Sequence, residues 1–188
     1  MAPSELLRFV VSVLERLGIR YFVTGSTVTI FYGEPRFTND IDVVVDLSAD
    51  RVEEFCGQFP EDDFYVSAAA ARDAVARKSM FNIIQPRSGL KVDVIVPASS
   101  DFNRSRFERA RRVHVGENWD ASFSSPEDAI VKKMDFHRQG GSDKHLRDIA
   151  SVLKGSRDEI DVAYIERWAE TLGLTDIWRA ILAKLPDP

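Results

Sequence analysis

A chain of 188 residues, 44% hydrophobic and 29% charged, has the length and balance of a single globular unit, or of a compact domain with a helical appendage. No apolar run approaches the roughly 18 to 20 residues that cross a bilayer, so no membrane partner is expected. A formal net charge of −5 speaks against a protein that coats nucleic acid by bulk attraction.

In chain order, Leu6, Leu7, Val10, Val13, Leu14 and Leu17 recur at helical spacing, with Ser4 placed to cap and Gly18 placed to stop. Ile19 to Val23 reads as a strand ending at Gly25-Ser26, and Thr27 to Tyr32 as a brief helix. Residues 33–39 read as a loop, Asp40 to Leu47 as a strand, and the stretch to Gln58 as a Ser48-capped helix. Strands are expected at Phe64 to Ser67, Met80 to Gln85 and Leu90 to Val96, with an Ala-rich helix between the first two. The β-rich core is expected to end near Pro97. Beyond it come a helix from Phe102 to Ala110 and a short strand from Arg112 to Val115. The rest reads as helical, starting at Ser125-Pro126-Glu127, then Asp143 to Leu153, Val162 to Leu172 and Thr175 to Leu185. The expected architecture is α+β, with a core over 1–120 and a helical region over 121–188 packed on it.

The chemistry resides in Asp40-Ile41-Asp42-Val43, where strand alternation points both carboxylates from one face and turns Ile41 and Val43 to the other. Hard divalent cations take such oxygen ligands together with phosphates and water, so Mg2+ or Mn2+ is the expected cofactor. Asp93 is the candidate third ligand, because an acid inside Leu90-Lys91-Val92-Asp93-Val94-Ile95-Val96 has no structural need to be there. Gly25 at a strand end lets backbone amides approach a phosphate, and Ser26 adds a hydroxyl.

Gly25-Ser26, a spacer of thirteen residues and Asp40-Ile41-Asp42 together resemble the pattern of the nucleotidyltransferase superfamily. The run from Gly33 through Pro35, Arg36 and Thr38 to Asp40 and Asp42 resembles the branch that includes the AbiEii-type toxins of toxin–antitoxin systems. The resemblance implies the minimal nucleotidyltransferase fold, a mixed sheet flanked by helices, with a C-terminal helical bundle. It also implies a nucleoside triphosphate such as ATP as substrate and release of pyrophosphate. Asp40, Asp42 and Asp93 inherit the metal and catalytic roles. Pro126-Glu127-Asp128 leading to Lys133, and Arg147-Asp148 beyond it, match further features of that branch, so Lys133 and Asp148 join Gly25, Ser26 and Arg36 as nucleotide-binding candidates. Lys132 next door leaves that register open by one, and Thr24 stands where the superfamily has an apolar residue.

The acceptor stays open at this level. The resemblance implies RNA, tRNA in particular, with an antitoxin protein as partner, and Arg104, Arg106, Arg109, Arg111 and Arg112 could receive its phosphates or be a solvated face. Relatives that modify aminoglycosides imply a small-molecule acceptor met by acids such as Glu127 or Asp148. Transfer to a protein hydroxyl is a third possibility, a non-catalytic nucleotide-binding module is the rival from another class, and metal-dependent phosphoester hydrolysis is a further option. Arg36 either grips phosphate oxygens or ties its loop to a carboxylate. His114, His137 and His145 lack zinc-site spacing and are expected at the surface or at caps. Cys56, the single cysteine, has no activating motif and reads as filler. The N-terminal stretch is unlike a secretory signal, so a cytoplasmic location is expected.

Overall fold

The computed structural model describes residues 1–34, 38, 40–116, 118–156 and 159–184. They divide into two compact units. The first holds Met1–Thr27 and the described residues of Phe37–Phe123; the second holds those of Val28–Arg36 and Ser124–Pro188.

In the first unit α1 (Pro3–Arg16) starts two residues earlier than a Ser4 cap would dictate. Pro3 fills the first helical position, and the Glu5 side chain accepts from the Ala2 N–H at 2.6 Å, so the acid three residues in does the capping. Gly18, at φ +63°, ends the helix as expected. A seven-stranded mixed sheet follows, in the order β3-β4-β5-β2-β1-β7-β6. Its strands are β1 (Tyr21–Thr24), β2 (Asp40–Val45), β3 (Tyr65–Val66), β4 (Met80–Gln85), β5 (Leu90–Ile95), β6 (Arg111–His114) and β7 (Asp120–Phe123). The central pair β2 and β5 is parallel, and β1 and β4 flank it antiparallel.

Two expectations need correction. The β-rich core does not stop near Pro97: β6 and β7 form a hairpin, and β7 joins β1 in parallel through Val23 and Phe123. Asp120-Ala121-Ser122-Phe123 carries one large apolar residue and so has little strand signature of its own. Pairing supplies what propensity lacks, with Ala121 and Phe123 buried and Asp120 exposed. The Ser48 helix is also broken into a 3-10 turn (Ala49–Arg51) and a short α3 (Val52–Cys56), and Ser48 makes no side-chain cap bond to the backbone.

Alternation assigns the sheet's two faces. Ile41, Val43, Val92, Val94, Phe81 and Ile83 are all buried, whereas Asp40, Asp42, Lys91, Asp93 and Asn82, at the intervening positions, retain exposure. The buried face meets Leu6, Val10 and Leu14 of α1 and an aromatic cluster in which Phe9 stacks on Phe64 at 5.0 Å and meets Phe59 edge-on at 5.8 Å. Helices α4 (Ala68–Arg77) and α5 (Asp101–Glu108) complete this unit.

α2 (Gly25–Tyr32) begins in the first unit and ends in the second. The second unit contains α6 (Pro126–Gly140), α7 (Asp143–Gly155), α8 (Val162–Thr171) and α9 (Thr175–Leu182) around Ile130, Met134, Ile149, Ile165, Leu174 and Trp178. The end of α2 is sewn to α7: the Glu34 N–H donates to Ser151 Oγ at 2.7 Å, and Ser156 Oγ donates to the Tyr32 carbonyl at 3.0 Å. Gly155 is required there, because a Cβ would collide with the Tyr32 carbonyl oxygen. At the start of α6, Ser125 caps Asp128 N–H at 3.1 Å, and Tyr164 of α8 donates to Asp128 Oδ1 at 2.6 Å. Glu127 accepts from the Asp161 N–H at 3.1 Å. The Pro-Glu-Asp segment therefore ties two helices together with buried acids. Among the described residues no helix is long and apolar enough to cross a membrane.

Candidate active site

Register builds the site. Across the sheet, Thr24 of β1 stands opposite Asp42 of β2, Asp42 beside Asp93 of β5, and Asp93 opposite Asn82 of β4. One step along, Asp40 is beside Lys91. Adjacent strands present registered residues on the same face, so both β2 carboxylates and Asp93 share one surface. Thr38 Oγ1 accepts from the Asp40 N–H at 3.3 Å as the chain enters β2.

The strand β1 passes directly into α2 at Gly25, whose φ of +66° favours a residue without a Cβ. This junction is tighter than a free turn: Gly25 and Ser26 form the first turn of the helix itself. A Cβ on Gly25 would lie under 3.0 Å from both Oδ2 and Cγ of Asp42, so the missing side chain is what lets the carboxylate sit there. The helix start places backbone N–H groups and the positive end of a helix dipole next to that acid. Ser26 is buried at 7% exposure.

Two residues that motif reading passed over complete the cluster. Lys91 Nζ bonds both oxygens of Asp93, at 2.9 and 3.0 Å, and Asn82 Nδ2 donates to Asp93 Oδ1 at 2.5 Å. The bond to Asp93 holds the Lys91 ammonium above its ordinary pKa, and the negative charges of Asp93, Asp40 and Asp42 add to the effect. All three carboxylates are thus felt at one cation. The parity of the strands could have exposed both residues: Asn82 interrupts an apolar strand as Asp93 does, and Lys91 stands two positions from Asp93.

Among the described residues no three acids, imidazoles or thiols are grouped closely enough to enclose an ion by themselves. The side chains present are nonetheless hard oxygen donors of the kind Mg2+ or Mn2+ takes, and an ammonium already stands on Asp93 as a cation.

Of the remaining expected site residues, Arg36 lies outside the described residues. Lys133 and Asp148 belong to the helical unit and pair with each other at 2.6 Å, their side chains 7% and 9% exposed. Lys132 points elsewhere, donating to Asp135 at 2.7 Å and lying over the Phe136 ring. Lys133 is thus the buried member of the two. Of the five arginines in the 104–112 stretch, Arg104 pairs with Asp101, Arg106 is buried over the Phe22 and Phe102 rings, and Arg112 meets Glu15. His114 lies against Asp120, His137 against the Ser142 carbonyl and His145 against Phe136.

No family model matches the sequence, and no curated protein matches it significantly. Several solved structures do share its fold. An antigenic nucleotidyltransferase-like protein from Paracoccidioides brasiliensis is 18% identical, with a TM-score of 0.57 over 98% of this chain and 94% of its own. Antibiotic-resistance factor ANT(2'')-Ia is 11% identical, with a TM-score of 0.50 over 96% and 92%. A candidate nucleotidyltransferase of Thermotoga maritima is 18% identical, with a TM-score of 0.51 over 74% and 88%. Identities this low make the likeness one of fold. The chain has an α+β, nucleotidyltransferase-like fold: a mixed seven-stranded sheet flanked by helices, with a helical C-terminal region.

Proposed function

We propose that this chain is a metal-dependent nucleotidyltransferase that moves a nucleoside monophosphate from a triphosphate to a hydroxyl acceptor. The observation that carries the reading is the row of Asp42 and Asp93, with Asp40 one step away, on one sheet face beside the Gly25 helix start. In this reading Asp40, Asp42 and Asp93 hold Mg2+ or Mn2+. When bound, the ion neutralises phosphate charge and lowers the pKa of the attacking hydroxyl.

The chain's own groups do the rest. N–H groups at Gly25 and Ser26, with the Ser26 hydroxyl, receive the phosphates, and Arg36, Lys133 and Asp148 are nucleotide-binding candidates, the last two by the resemblance alone. The acceptor oxygen attacks the α-phosphorus in line, forming a new P–O bond. The bond to the bridging oxygen breaks, and pyrophosphate leaves with its electron pair. Asp93 takes the hydroxyl proton, and Asn82 keeps its carboxylate oriented.

The acceptor proposed is RNA, tRNA in particular, in the manner of the AbiEii-type toxins that the 33–42 motif resembles, with a cognate antitoxin and a cytoplasmic setting. An aminoglycoside-type small molecule is the alternative substrate.

To test this, the protein and its Asp40→Asn variant are incubated with magnesium, each α-labelled nucleoside triphosphate in turn, and a fractionated cell extract. Label in one fraction that disappears with the variant supports transfer and names the acceptor class. Nucleotide binding with no labelled product in any fraction moves the reading to a non-catalytic binding module.

A further inference from the structure

We infer that Lys91 is a built-in counter-cation of Asp93, one that a divalent ion must displace and that couples ion binding to nucleotide binding. This rests on the proposed metal-dependent transfer and deepens it. The geometry is specific. Nζ bonds both Asp93 oxygens at 2.9 and 3.0 Å, while Asn82 takes a further lone pair of Oδ1 at 2.5 Å. A carboxylate has about four acceptor sites and three are taken, so Asp93 has little capacity left for a second cation while Lys91 is docked. An ammonium and a divalent ion on the same oxygens also repel each other.

Lys91 can leave without disturbing the fold. Its side chain is 45% exposed, against 15% for Asp93, and it emerges from β5 on the face it shares with Asp93, beside Asp40. Displaced from Asp93, its ammonium is free to meet an incoming anion, and the phosphates of a nucleotide supply one. Ion and nucleotide then favour each other through Lys91: the ion frees the lysine for phosphate, and phosphate removes the lysine from the ion's ligand. Asn82 is neutral and does not compete, so it holds the Asp93 carboxylate in either state.

The test is Mn2+ binding, followed by the electron paramagnetic resonance of the free ion, without and with a triphosphate analogue that cannot be cleaved at the α-phosphorus. Lys91→Met is expected to bind Mn2+ alone about tenfold more tightly than the unaltered protein and to lose most of the further tightening by nucleotide. Lys91→Arg keeps both properties of the unaltered protein. The difference persists in about 1 M salt, where a diffuse field is screened beyond about 3 Å but a contact pair is not. Circular dichroism confirms that each variant is folded. If Asp42→Asn weakens Mn2+ binding but Lys91→Met leaves it unchanged, the Lys91 role is overturned and the metal site stands. Mn2+ binding that is indifferent to Asp42→Asn overturns both.

Discussion

The Asp42 carboxylate rests against the bare Cα of Gly25, closer than any side chain at residue 25 could allow. Gly25→Ala therefore meets two obstacles of different size. A Cβ at φ +66° costs about 1–2 kcal/mol, which the fold can absorb. Displacement of Asp42 by even about 1 Å costs transfer on the order of a hundredfold. The variant is expected to unfold only slightly early in urea while losing nearly all transfer. Unimpaired transfer in a folded variant would show that the contact between the two residues is incidental.

In the helical unit, Lys133 and Asp148 form a buried ion pair. Lys133→Met takes the ammonium from a buried acid and is expected to cost about 3 kcal/mol in urea unfolding, near the low end for such pairs because Asp148 has further partners. Combining it with Asp148→Leu should restore much of that loss. Strict additivity of the two single changes would contradict the pairing.

Glu15, Tyr21 and Arg112 form a second cluster, with Tyr21 donating to Glu15 at 2.8 Å and Arg112 meeting the same carboxylate. The bond to Arg112 lowers the Glu15 pKa from 4.5, and burial, then the bond to Glu15, pushes the Tyr21 phenol up to about 12. The depressed carboxylate contributes stability above its unfolded value of 4.5 and loses it as pH falls through the folded value. The raised phenol contributes below its unfolded value of 10.0 and loses this as pH rises through about 12. Glu15→Gln should accordingly be less stable at neutral pH, with the gap closing on acidification below 4.5. Unfolding curves that run parallel from pH 7 to pH 3 would refute the linkage.

Cys56 is half-buried, and burial raises its thiol from 9.0 to about 11. Its thiolate fraction at pH 8 is then about a hundredfold below that of an ordinary thiol, and alkylation by iodoacetamide should be slower at least in that proportion. Alkylation at the rate of a free cysteine would contradict this.

Much of this was legible because the signals are local. Alternation over Asp40 to Val43 shows which residues share a face, and Leu6, Val10 and Leu14 mark the buried side of α1. What escaped depends on pairing between distant segments. β7 reads as polar until β1 and β6 are beside it. Asn82 and Lys91 become site residues only through the register that sets them against Asp93 and Asp40. The buried pairing of Lys133 with Asp148, fifteen positions on, depends on how α6 and α7 pack. The Gly25 turn stands out in the sequence, but its reason, the Asp42 carboxylate, lies across a strand pair.

The most direct test of the central claim compares ATP labelled at the α-phosphorus with ATP labelled at the γ-phosphorus, using the same fractionated cell extract, in the unaltered protein and in Asp42→Asn. Nucleotidyl transfer predicts that the acceptor carries α label and no γ label, and that Asp42→Asn, though folded, carries neither. Acceptor labelled from the γ position, or α label undiminished by Asp42→Asn, would contradict the assignment of this carboxylate row as the site of transfer.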